Sequence, residues 1–112
     1  MRVRIKISIN DAESICRYLM TLANNTNNLL IKQQLHLDFV KLHNHLALKD
    51  RSKGNKMTGF TLDGLTLCVL NIDMDKILPT LLDEPTQYMI RYAIGEVQRS
   101  AESSLMKTKM QI

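Results

Sequence analysis

The sequence predicts an α+β protein in the order β-αα-ββ-αα, with a small three-stranded antiparallel sheet covered by helices. Three observations carry that expectation. Val3, Ile5, Ile7 and Ile9 alternate with Arg4, Lys6, Ser8 and Asn10, the period of a half-buried strand. Ile31, Leu35, Phe39, Leu42 and Leu46 recur at helical spacing within the longest uninterrupted stretch, Asn28 to Leu48. Asp63-Gly64 stands between two strand-like runs, Met57 to Leu62 and Leu65 to Ile72, which is the spelling of a tight hairpin turn.

The first strand presents one face to the core and a cationic face to solvent. Asn10 and Glu13 have capping-box spacing, so a helix is expected from there to about Ala23, with Ala12, Ile15, Cys16, Leu19 and Leu22 inward. Asn24, Asn25, Thr26, Asn27 and Asn28 favour turn and cap geometries and separate it from the central helix, as in an antiparallel helical hairpin. The central helix should stop near Lys49, because DRSKGNK is charged, polar and broken by Gly54; a flexible basic loop is expected there.

Pairing Leu62 with Leu65 in the hairpin would set Phe60 opposite Leu67, Thr58 opposite Val69 and Thr61 opposite Thr66. Asp73 then suits the cap of a short helix, Met74 to Leu78, interrupted at Pro79. Pro85 opens the last helix, in which Ile90, Ile94, Val97, Ala101 and Leu105 recur. Gly95 inside that run costs about 1 kcal/mol relative to alanine, and a close helix approach would account for it. One domain over residues 1–105 and a flexible tail over 106–112, MKTKMQI, complete the expected organisation.

A chain of 112 residues is long enough to bury a core without disulfides or a metal. No apolar run approaches the ~18 residues of a membrane span. The opening MRVRIKISIND lacks a signal-peptide core, so the expected location is the cytoplasm, with no membrane partner. Cys16 and Cys68 belong to no CxxC pair and read as two reduced, buried thiols. The net charge of +4 is unevenly spread. Arg2, Arg4 and Lys6 stand together without an acid, and Lys49, Arg51, Lys53 and Lys56 face only Asp50. Asp73, Asp75, Asp83 and Glu84 face only Lys76.

For catalysis the sequence offers no GxSxG elbow, no Gly-rich phosphate loop and no cysteine with a nearby base, so no catalytic residue and no cofactor are expected. His36, His43 and His45 do not share one side of a helix, and the seven-residue spacing of the first two is too long for a chelate, so no metal is expected either. What exceeds the needs of a monomer is apolar surface. Leu30, Leu37, Val40 and Leu48 point away from the central helix's main stripe, which predicts a contact with another helix or subunit. Tyr88 and Tyr92, one turn apart beside Arg91, have the composition of an interface anchor. The expected object is a small non-enzymatic binding protein of the inhibitor, immunity-factor or adaptor kind, acting as a homo-oligomer that occludes another protein. The alternative is a binder of nucleic acid or a phosphorylated or nucleotide ligand through Arg2, Arg4, Lys6, Lys49, Arg51, Lys53 and Lys56.

Overall fold

The computed structural model describes residues 1–72 and 83–110. Strand β1 (Arg2–Ser8) pairs antiparallel with strand β2 (Met57–Asp63), and these two strands are the whole sheet among the described residues. Four α-helices are described: α1 (Ile9–Asn25), α2 (Leu29–Ala47), α3 (Gly64–Asn71) and α4 (Glu84–Met110). The order is therefore β-αα-β-α-α, and the expected third strand is a helix. The short helix expected over Met74 to Leu78 lies outside the described residues.

The physical reason lies in Asp63 and in the pattern that follows it. Asp63 has extended dihedrals, φ −69° and ψ 147°, and its carboxylate accepts from the Leu65 N–H, so Asp-Gly caps a helix instead of turning a hairpin. Downstream, LTLCVLNI is apolar without alternation, and as a strand it would expose one apolar face. As α3 it buries Thr66 and Leu70 and packs Leu67 and Val69 against the core. The pairings of Phe60 with Leu67, Thr58 with Val69 and Thr61 with Thr66 do not form. Their places are taken by β1, which sets Val3 opposite Leu62, Ile5 opposite Phe60 and Ile7 opposite Thr58. Both strands alternate there, so one register buries both apolar faces.

Helix α1 begins earlier than the Asn10 cap suggested. Its cap is Ser8, whose hydroxyl accepts from the Asp11 N–H at 3.1 Å. The two preceding N–H groups, of Ile9 and Asn10, donate to the carbonyls of Lys56 and Gly54, each at 3.0 Å. The 49–56 segment thus satisfies the open end of a helix. It is a hydrogen-bonded 3-10 turn (Arg51–Lys53) capped by Asp50, not the flexible loop expected from its composition. Gly54 lies so close to the Asn10 side chain that an added Cβ would stand 2.6 Å from its Cγ.

The core forms where β1 and β2 lie on α1 and α2, with α4 alongside β1 and α1. Ala12, Ile15, Cys16, Leu19 and Leu22 of α1 are buried as the periodicity requires, and Tyr18 joins them with no exposed surface. On α2, Leu35, Leu42 and Leu46 are buried, with Ile31 and Phe39 packed at the margin. Ile90, Ile94, Val97 and Ala101 of α4 are buried, while Leu105 is exposed and the helix runs on to Met110. Cys16 is buried, but Cys68 is exposed on α3, against the expectation of two buried thiols. Among the described residues, no helix is long and apolar enough to cross a membrane.

Gly95 does not mark a close helix approach. A Cβ there would meet only the end of Arg99, at 4.0 Å. Gly95→Ala is therefore expected to raise stability by about 1 kcal/mol, read as a higher denaturant midpoint at unchanged slope. A loss of stability would show that the glycine is needed.

One polar cluster sits inside the fold. The carboxylate of Asp38, on α2, is wholly buried; it pairs with Arg2 Nη1 at 2.6 Å and accepts from the Asp63 N–H at 3.0 Å. Arg2 also donates to the Thr61 carbonyl and hydroxyl, each at 3.0 Å from Nη2. The Gly64 N–H donates to the Met1 carbonyl at 2.8 Å. One carboxylate thereby joins the start of β1, the end of β2 and the cap of α3 to α2.

Candidate functional site

The core-facing positions of α2 leave its opposite side uncovered. Leu30, Gln33, Leu37, Val40, Asn44 and Ala47 are all exposed, and their spacing alternates three and four, the seam of a helix that pairs with another. Leu30 is 76% exposed, Leu37 53% and Val40 38%, and Leu48 stands beside the seam's end at 88%. Leu35 and Leu42, on the far side of the helix from the seam, are buried. One helix thus carries a core face and a free apolar face, and among the described residues the exposed leucines of the other helices do not form such a row. The four α2 residues predicted for the interface lie together here.

Tyr88 and Tyr92 are elsewhere, on the first turns of α4. With Met89 they form an exposed patch over a shallow cleft shared with Asn10, Asp11 and Ser14 of α1. Met89 was not singled out from the sequence, although it sits between the two tyrosines and completes the patch.

The basic residues separate into three groups. Arg2 is engaged by Asp38 and is structural. Arg4 and Lys6 line a cleft of about 400 Å³ with Glu96, Arg99, Ser100, Ser103 and Ser104 of α4. Lys49, Lys53 and Lys56 belong to the segment that reaches the far end of β1 through the Lys56 carbonyl, and Arg51 starts its 3-10 turn. The six of these cations whose side chains are described do not line one cleft. Arg99 was missed because α4 was read for its apolar stripe. Its polar members, Glu96, Arg99, Ser100, Ser103 and Ser104, recur at helical spacing on their own and were legible as a second face.

The histidines divide as well. His36 and His43 stack on either side of Phe39, with ring centroids 6.3 Å and 5.6 Å from it, at the edge of the α2 seam. His45 turns toward the sheet, where its Nε2 shares a 2.6 Å hydrogen bond with Thr58 Oγ1 and its ring tilts against Phe60. Among the described residues, no three His, Cys, Asp or Glu side chains converge on a metal-sized site.

Desolvation, and then the charge of Lys49, holds His45 below the ordinary histidine value of 6.5. The unfolded chain therefore takes up a proton before the folded one does. This contribution to stability is complete above about pH 6.5 and is lost as the pH falls through that value toward the lower folded one. His45→Gln is expected to flatten the acid-side fall of the melting temperature between neutral pH and pH 5, and an unchanged profile would assign the fall to other groups.

Compared with known proteins, the chain matches no protein-family model, no curated protein and no solved structure.

Proposed function

We infer that this chain is a small non-enzymatic binding protein that assembles as a twofold homodimer through the outer face of α2 and acts by occluding a protein partner. The observation that carries the reading is the exposed seam from Leu30 to Leu48. Its residues are arranged almost symmetrically about the helix middle, with Leu30 and Leu48 at the ends and Leu37 and Val40 on either side of the centre. A twofold axis through that centre sets two copies antiparallel, with each Leu37 near the partner's central residues. That self-complementarity is what an isologous interface requires. Gln33 and Asn44, on the same seam and equally placed on either side of its centre, are polar residues of the kind that fix register in paired helices.

The second patch, Tyr88, Met89 and Tyr92, remains free in such a dimer and is the surface assigned to the partner, since aromatic residues and methionine are enriched at recognition surfaces. The proposed location is the cytoplasm. Light scattering on the purified chain tests the assembly. A mass of twice 12.9 kDa is expected, and a strictly monomeric mass at high concentration overturns the homodimer.

A further inference from the structure

The cleft between β1 and α4 is built differently from the rest of the surface. The main-chain N–H of Lys6 donates to Ser100 Oγ at 2.7 Å, which fastens the outer edge of β1 to the polar face of α4. Because Ser100 accepts that bond, its own hydroxyl proton is left to donate into the cleft. Arg4 lies across Gly59, where a Cβ would stand 2.9 Å from its Nη2, so the missing side chain gives the guanidinium its place. Arg99 reaches the same cleft from α4 and donates to Glu96. Among the described residues, no carboxylate pairs with Arg4 or Lys6, whereas Arg2, one alternation earlier, is held by Asp38. Among the described residues, three cations thus line the cleft with the hydroxyls of Ser100 and Ser103 against one carboxylate, that of Glu96.

We propose that this cleft binds the phosphate group of a small phosphorylated molecule. A phosphate presents three or four acceptor oxygens in a tetrahedron, which suits two planar guanidinium forks, an ammonium and several hydroxyl donors. A carboxylate offers only two oxygens and leaves most of those donors unused. The cleft's volume of about 400 Å³ falls within the roughly 300–1,000 Å³ typical of small-molecule sites. An extended nucleic acid is the less suitable occupant. The Lys49–Lys56 segment lies at the far end of β1, and the cleft is lined by no aromatic ring on which a base would stack.

The test follows main-chain amide resonances of the full chain while inorganic phosphate and then pyrophosphate are added. Saturable shifts are expected at Lys6, Gly59, Ser100 and Ser103. Arg99→Gln or Arg4→Gln should weaken binding about tenfold, while the paired control Lys49→Gln/Lys53→Gln leaves it within about twofold. All four residues are exposed, so these variants keep the core intact. Gly59→Val should also weaken binding, by displacing the Arg4 guanidinium while every charge is retained. Equal losses in the cleft variants and the loop control would mean diffuse charge attraction and overturn the proposal. So would the absence of saturable shifts at Lys6, Gly59, Ser100 and Ser103 with either phosphate or pyrophosphate.

Discussion

Replacing Arg2 by methionine is expected to cost about 3 kcal/mol of folding stability, a fall in melting temperature of roughly 15 °C for a chain of this length. The size of the effect comes from the partner left behind. The side chain of Asp38 has no exposed surface, so without Arg2 its charge stays buried, held among the described residues by the Asp63 N–H and a long contact from Gln34 Nε2 at 3.5 Å. The reverse substitution is milder. Arg2 keeps about a third of its side chain in solvent and can turn outward when Asp38→Asn removes its counter-charge, while the amide oxygen still accepts from Asp63. A loss of about 2 kcal/mol is expected for Asp38→Asn. The double variant Arg2→Met/Asp38→Asn should recover part of the Arg2→Met loss, because it leaves no buried charge unpaired. Urea unfolding of the four proteins gives the cycle. A double-variant loss equal to the sum of the two single losses would show that the pair is not the cause.

Asp38 also shows where the sequence was legible and where it was not. The apolar stripe of α2 was plain, and Leu35, Leu42 and Leu46 are buried where helical spacing puts them. Asp38 falls three residues after Leu35 and four before Leu42, so an acid stood inside that stripe; the position itself marked a buried charge needing a partner. The partner, Arg2, is 36 residues away and belongs to a strand whose alternate residues read simply as a solvated cationic face. Local pattern reports which face a residue occupies. It does not report what a distant element brings to that face.

The false third strand has the same origin. Asp63-Gly64 serves equally as a hairpin turn and as a helix cap followed by its first residue, and a short apolar run carries no period that decides between them. The deciding term was non-local. As a helix the run after Gly64 buries Thr66 and Leu70 against elements distant in sequence, and β1 and β2 pair over seven residues without it. The basic 49–56 segment was misjudged for a related reason, since its carbonyls are ordered by the open N–H groups of α1. The exposed apolar row of α2 was legible because it is defined within one helix. The cleft at Arg4 and Lys6 was only half legible, because Arg99 and the serines come from the other end of the chain.

Leu37→Lys is expected to convert a dimer into a monomer at concentrations where the wild-type chain is fully paired. Leu37 sits at the middle of the α2 seam and already hides about half of its surface within the protomer. What remains for an interface to cover stabilises by about 1.5 kcal/mol, the low end for a leucine side chain. A twofold axis counts that loss twice, so about 3 kcal/mol leaves the interface, a rise of roughly a hundredfold in dissociation constant. Lysine is as good a helix former as leucine on a solvent face, so the protomer should keep its own unfolding midpoint when measured at high dilution. Leu37→Met, which preserves volume and apolarity, should leave the dimer intact. Sedimentation over a range of concentrations separates the outcomes. A wild-type dimer unaffected by Leu37→Lys would place the interface elsewhere, with the Tyr88 and Tyr92 patch the next surface to substitute. The predicted pair, monomeric Leu37→Lys and dimeric Leu37→Met, requires that the row on α2 be buried by a second copy of itself.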